Sequence, residues 1–204
     1  MLKEKIKLLL RLLIDLMIVA LEIYCLINFL SYLFKGNPDI RFRYFTNISN
    51  LSVGLISLVD FIILITSLIK KKEYHFKIFS IIKFIGVSMT TLTFIVVLIA
   101  TPFIGFHASY SGIKIITHLI VPLLIAISFL FISKDEQFEW KYSLLGIVPP
   151  ISYSIIYIFN VIILNNWPDI YKINKDGFWY IYILISILLG FLLSEGLYFL
   201  KKKI

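Results

Sequence analysis

The chain has 204 residues, of which 60% are hydrophobic, and its formal net charge is +8. A soluble domain is about 45–50% apolar, so this excess predicts an apolar surrounding rather than water. The lysines flank apolar runs, which indicates membrane orientation and lipid headgroups as their role and argues against nucleic acid as a partner.

The apolar runs predict an all-α, polytopic membrane protein with a single domain, residues 1–204. Several runs reach the roughly 20 residues that a helix needs to cross a bilayer, and none alternates as a barrel strand does. The first run is longer than that of a signal peptide and lacks a small-residue cleavage site, so we expect it to be retained. The six predicted helices cover about residues 8–34, 46–69, 81–104, 113–133, 142–164 and 178–200.

Acidic residues inside the predicted helices are the first sign of internal polar contacts. Asp15 and Glu22 are seven residues apart, so they share one face, which we expect to face other helices. Asp60 and Glu195 lie towards ends that are followed by lysines, with which they could pair. Buried carboxylates also mark ion or proton paths. They therefore favour an alternative class, a non-catalytic multi-pass protein such as a small transporter, a lipid sensor or a complex subunit.

The distribution of lysine and arginine predicts the orientation. Six helices place both termini on one side, and that side collects 14 of the 20 basic residues. The positive-inside rule then puts both termini in the cytoplasm (N-in, C-in) and the loops at 35–45, 105–112 and 165–176 outside. Abundant Ile and Lys with little Ala is typical of an AT-rich bacterial genome, so we expect a multi-pass protein of the bacterial cytoplasmic membrane.

A polar cluster opens the second predicted helix. Residues 41–50, RFRYFTNISN, bring two arginines and two aromatics to a run of hydroxyl and amide side chains. With a rise of about 1.5 Å per residue, Thr46, Asn50 and His118 lie in one shallow slab of the outer leaflet. Arg41 and Arg43 fall at headgroup level, where they could hold a lipid phosphate or merely anchor the helix.

Small and polar residues continue along one face of that helix. Thr46, Asn50, Gly54 and Ser57 fall within about 80° of one another at 100° per residue. Small residues let helices approach closely, so the stripe could be a packing seam, and it could equally form the wall of a site.

A hydroxyl beside an imidazole suggests nucleophilic catalysis. Thr46 would be the nucleophile, His118 the base, and Ser49 and Asn50 possible oxyanion donors to a fatty acyl ester from the membrane lipids. The alternatives are structural: Thr46 could cap the helix, and a lone histidine often only bonds a neighbouring helix. A metal or haem site on His107 and His118 lacks further ligands, so we predict no metal and no cofactor.

The same residues carry a resemblance to a known family. Residues 43–55, RYFTNISNLSVGL, resemble the "FFTxxSNLL" segment of the androgen-induced membrane protein family and its bacterial relatives, most of which are uncharacterised. The eukaryotic members are six-helix enzymes that hydrolyse fatty acid esters of hydroxy fatty acids with an intramembrane Thr and His. The resemblance implies that Thr46 and His118 hold these roles, while Ser49 and Asn50 match the Ser-Asn of the motif.

Further patterns extend the resemblance over most of the chain. They are His118 with Pro122, Pro150 with Tyr153 and Tyr157, and Trp167-Pro168-Asp169. One departure is Ser128, where bacterial relatives commonly carry Asp. The resemblance implies a lipid-ester hydrolase or, if a lipid alcohol replaces water, an acyltransferase.

Overall fold

The computed structural model describes residues 2–35, 43–72, 74, 76–133 and 139–204. Within these ranges every regular element is a helix, which confirms the all-α prediction. The helices, numbered here in chain order, are α1 (Leu2–Phe34), α2 (Phe45–Lys70), α3 (Lys77–Ile104), the short α4 (Phe106–Tyr110), α5 (Ile113–Ile132), α6 (Trp140–Ile163) and α7 (Trp179–Lys203).

Five of these helices, α2, α3, α5, α6 and α7, are long and apolar enough to cross a bilayer. The chain is therefore a multi-pass integral membrane protein. With 33 residues, α1 is about 50 Å long. Its crossing, and with it the six-helix count and the N-in, C-in orientation, stays a prediction.

Several helices extend beyond their predicted bounds into charged sequence. The first begins at Leu2 instead of residue 8, the third at Lys77 instead of 81, and the last runs to Lys203. Lysine and glutamate are good helix formers, and cations are favourable at a helix C-terminus. The helices therefore continue beyond the ends of their apolar runs. The predicted outer loop at 105–112 also contains α4, which folds between Gly105 (φ 89°) and Gly112 (φ 57°).

The helices α5 and α6 are irregular. α5 contains π-helical turns at Ile116–Ile120 and Ser128–Ile132. α6 begins as a 3₁₀-helix and becomes α-helical at Val148–Tyr157, where its two prolines fall in the first turn. Proline lacks an N–H and is tolerated there, because first-turn N–H groups have no intrahelical acceptor.

Side chains from α1, α2, α3 and α5 meet in the core, which includes Ile18, Val53 and Phe84. A methyl group added at Gly54 would lie 2.8 Å from Glu22 Cβ, so α2 packs directly on α1 at this position of the small-residue stripe. Asp15 and Glu22 are buried, as predicted.

An ion cluster at the lysine-rich end joins the first three helices. Asp60 accepts hydrogen bonds from Arg11 at 2.7 and 2.9 Å and from Lys83 at 2.8 Å, and Lys83 also donates to Ser133 Oγ at 2.7 Å. The expected pairing of Asp60 with the lysines after α2 is therefore wrong. Asp60 instead pairs with Lys83 of α3, which is 23 positions further along the chain.

Glu195 also differs from the prediction. It accepts hydrogen bonds from Trp140 Nε1 and Ser143 Oγ at the start of α6, and not from the lysines that end α7. Of those, Lys201 donates to the backbone carbonyls of Phe129 and Ser133. These contacts gather the lysine-rich helix ends at one end of the bundle.

Candidate functional site

The first turn of α2 carries Thr46, but Thr46 is not the cap. Tyr44 occupies the N-cap position with an extended backbone (φ −80°, ψ 129°), and its own side chain makes no capping hydrogen bond. The N–H of Phe45 donates to the Tyr171 hydroxyl at 2.9 Å, and the N–H of Asn47 to the Tyr44 carbonyl at 3.1 Å. The capping explanation for Thr46 is therefore wrong.

Asn50 joins α2 to α5. Its amide Nδ2 donates to the Thr46 carbonyl at 2.7 Å and to the Thr117 carbonyl at 2.9 Å, and the side chain is fully buried. The first turn of α2 is thereby held against the residue that precedes His118. Both amide hydrogens are used in these two bonds, so Asn50 has none left for an oxyanion in this conformation.

Ser49 lies on the neighbouring face of the same turn. Its hydroxyl donates to the Thr46 carbonyl at 2.9 Å and lies 3.2 Å from Thr93 Oγ1 of α3. The side chain is fully buried. Its hydrogen is committed to a backbone carbonyl, which indicates a role in packing α2 against α3.

His118 lies in the first π-helical turn of α5, half-buried. Its Nδ1 is 2.7 Å from the Ser109 carbonyl of α4. A carbonyl only accepts, so Nδ1 carries the hydrogen and Nε2 of the neutral ring is left as the acceptor. A fixed ring with a basic Nε2 is the arrangement that a general base requires.

Thr46 and His118 thus lie on two helix segments that Asn50 clamps together. Both are half-buried, and the described residues give the Thr46 hydroxyl no hydrogen bond, to His118 or elsewhere. Catalytic hydrogen bonds are often long or poorly aligned in substrate-free sites and tighten only when substrate binds. Sequence reasoning missed Ser109, because no pattern indicated that α4 would fold back onto the imidazole.

An aromatic cluster covers the same end of α2 and α6. The Tyr157 hydroxyl donates to Asp169 at 2.8 Å, and Asp169 also accepts the N–H groups of Ile173 and Asn174. The N–H of Tyr171 donates back to the Tyr157 hydroxyl at 3.2 Å. The Pro-Tyr pattern of α6 and the Trp-Pro-Asp loop, separate in the sequence, therefore contact each other.

Two further contacts tie this cluster to the start of α2. The Tyr153 hydroxyl donates to the Arg43 carbonyl, and the Arg43 guanidinium lies 5.3 Å from the centre of the Trp167 ring. Desolvation of the Tyr171 hydroxyl by this cluster raises the pKa of Tyr171. The structure thus gives Arg43 an aromatic contact, while Arg41, the other predicted headgroup residue, lies outside the described residues.

Within the described ranges, no three His, Cys, Asp or Glu side chains lie together as metal ligands would. Comparison with protein-family models, curated proteins and solved structures gave no match. The resemblance stated above therefore stays a prediction, and any assignment of chemistry rests on the geometry of Thr46, His118 and their neighbours.

Proposed function

We propose that the protein is an intramembrane lipid-ester hydrolase with Thr46 as nucleophile and His118 as general base. The observation that carries the proposal is the hydrogen bond from His118 Nδ1 to the Ser109 carbonyl. It fixes the ring and its tautomer and leaves Nε2 able to take a proton. The Asn50 bridge supports the assignment, since it holds the turn of Thr46 against the segment of His118.

The reaction would proceed in two steps. Nε2 of His118 takes the Thr46 proton while Oγ1 attacks the ester carbonyl, and the imidazolium then protonates the departing alcohol. Water, activated by the same imidazole, hydrolyses the acyl-threonine and releases the fatty acid. If a lipid alcohol enters in place of water, the same intermediate transfers its acyl group, which is the acyltransferase alternative.

The backbone at the start of α2 is a better oxyanion donor than Ser49 or Asn50. A helix leaves its first N–H groups without intrahelical acceptors, and its N-terminus carries partial positive charge. Here the N–H groups of Phe45 and Asn47 have acceptors, whereas the described residues provide none for the N–H of Thr46. We therefore assign the oxyanion to this N–H, and Ser49 and Asn50 to positioning the turn.

A lipophilic fluorophosphonate probe tests the nucleophile. The purified full-length chain is labelled in detergent, alongside Thr46→Ala, Thr46→Ser and His118→Ala. We expect labelling in the wild type and in Thr46→Ser, none in Thr46→Ala, and a loss of about 10²–10⁴-fold in rate in His118→Ala.

Ser52→Ala and His107→Ala are the matched controls. Ser52 is on α2 and its hydroxyl donates to the Ile48 carbonyl, while His107 is an exposed imidazole in α4. Both variants should label at the wild-type rate. Labelling that persists in Thr46→Ala, or that disappears equally in the controls, would refute the assignment.

The non-catalytic alternative is favoured by one separate observation, the buried cluster of Arg11, Asp60 and Lys83. Intramembrane charges commonly serve ion or proton paths. Both cations here are bonded to Asp60, which also suits a purely structural role. Proton flux into liposomes containing the protein, compared between wild type and Asp60→Asn/Lys83→Met, separates the two, because this double variant removes a buried anion and a buried cation together. Flux that is lost in the folded double variant would support a transporter.

A further inference from the structure

A cavity of about 460 Å³ lies between α1, the end of α2 and the start of α3, at the opposite end of α2 from Thr46. One part of its wall is apolar and includes Leu64, Leu68 and Phe79. The other part is basic. The basic residues are Lys5, Lys7, Arg11, Lys71 and Lys72.

The charge of the cavity is unbalanced. At its floor Asp60 is neutralised by Arg11 and Lys83, at 2.7 and 2.8 Å. Of the other described lining residues, four are lysines and one, Glu4, is acidic, which leaves an excess of three positive charges. The side chains of Lys5 and Lys71 are exposed and form no ion pair within the described part of the chain. A ligand for this rim is therefore an anion.

The apolar wall decides what kind of anion. An inorganic ion would leave Leu64, Leu68 and Phe79 uncovered, whereas an amphiphile can place its charged group at the lysines and its hydrocarbon along the wall. The volume falls within the roughly 300–1,000 Å³ of small-molecule sites. Basic pockets between transmembrane helices bind anionic headgroups, and lysine is a common phosphate ligand.

We propose that this cavity binds an anionic phospholipid, with the phosphate at Lys5, Lys7, Lys71 and Lys72 and an acyl chain against the wall of Leu64, Leu68 and Phe79. The site is separate from Thr46 and His118 and does not depend on the proposed hydrolysis. Its ligand need not be a substrate, since no nucleophile–base pair lies among the described residues that line it.

Native mass spectrometry of the full-length protein in neutral detergent tests the proposal. Phosphatidylglycerol, phosphatidylcholine and inorganic phosphate are titrated separately. We expect saturable binding of phosphatidylglycerol, about tenfold or more tighter than phosphatidylcholine, and no saturable binding of inorganic phosphate. Each lysine near an anionic headgroup strengthens binding about fivefold. Lys71→Gln/Lys72→Gln should therefore weaken phosphatidylglycerol binding about thirtyfold, and Lys5→Gln/Lys7→Gln should have a similar effect.

Lys202→Gln/Lys203→Gln is the matched control, because it removes the same charge from the end of α7 without touching the cavity. It should leave phosphatidylglycerol binding within about twofold of wild type. Lys71→Arg/Lys72→Arg keeps the charge and should keep the binding, which separates loss of charge from loss of fold. Equal losses in the control, equal binding of the two lipids, or equivalent binding of inorganic phosphate would each overturn the proposal.

Discussion

Removing the negative charge at the centre of the ion cluster should be among the most destabilising single changes in the protein. Asp60→Asn keeps the shape of the side chain but withdraws the partner of both Arg11 and Lys83. The side chain of Lys83 is 0% exposed, so its ammonium cannot turn to water. The side chain of Arg11 is 15% exposed and lines the cavity, so it can be partly solvated.

The magnitude follows from this difference in burial. Breaking a buried ion pair by removing one partner costs about 3–5 kcal/mol. Asp15 lies within electrostatic reach of Lys83 and offsets part of the loss, so we expect the low end, about 3 kcal/mol, or more than a hundredfold in the unfolding equilibrium. Lys83→Met should cost less, about 1–2 kcal/mol, because Asp60 keeps Arg11.

The double variant provides the sharpest comparison. Asp60→Asn/Lys83→Met removes the buried anion and the buried cation together, and replacement of a buried pair by groups of similar volume is often close to neutral. We therefore expect the second substitution to restore stability to Asp60→Asn. The measurement is reversible unfolding of the purified protein in mixed micelles with increasing dodecyl sulfate, followed by tryptophan fluorescence.

Glu139→Gln is the control for this cycle. Glu139 pairs with Lys77 and Lys141 at the surface, with its side chain 53% exposed, so its removal should leave the midpoint unchanged. If Asp60→Asn unfolds at the wild-type midpoint, or if the double variant loses the sum of the two single losses, the reasoning from burial is refuted.

Three further predictions concern packing and the outer end. Gly54→Ala should destabilise the protein by about 1–3 kcal/mol in the same assay, because the added methyl group would lie 2.8 Å from Glu22 Cβ. Gly196→Ala is the control and should be neutral or stabilising, because the space around Gly196 is open. Asn50→Ala should cost about 1–3 kcal/mol through its two lost hydrogen bonds; an unchanged midpoint would contradict the interhelix bridge. Tyr157→Phe should speed amide hydrogen exchange in the loop 165–177, and unchanged exchange would show that other contacts hold it.

The apolar runs predicted α2 and α5 almost to the residue. Residues 46–69 and 113–133 were expected, and Phe45–Lys70 and Ile113–Ile132 are observed. Both apolar runs end at turn residues or charges, so the bounds of each run nearly match the bounds of its helix. At the N-terminus and at Lys77 they do not, because charged residues continue a helix after its apolar run has ended.

Partners across the bundle could not be predicted. Lys83 lies near the start of the predicted third helix, and nothing in the sequence indicates its partners. In the structure it is 1% exposed, because Asp60 of α2 and Ser133, directly after α5, meet its ammonium group. The tautomer of His118 likewise depends on Ser109, which α4 brings into reach. Such contacts arise from packing between segments distant in the sequence, and no local pattern encodes them.

The ion cluster also has a consequence for biogenesis. A charged side chain within an inserting helix opposes its release into lipid, by about 2.5–3.5 kcal/mol at the helix centre and by less towards the ends. Arg11 and Lys83 lie in the first half of α1 and of α3. Asp60 on α2 can neutralise either cation, but α2 emerges from the ribosome between them. If α1 crosses the bilayer as predicted, we therefore expect it to remain beside the translocon until α2 is made, and the three helices to enter the lipid as one assembled unit.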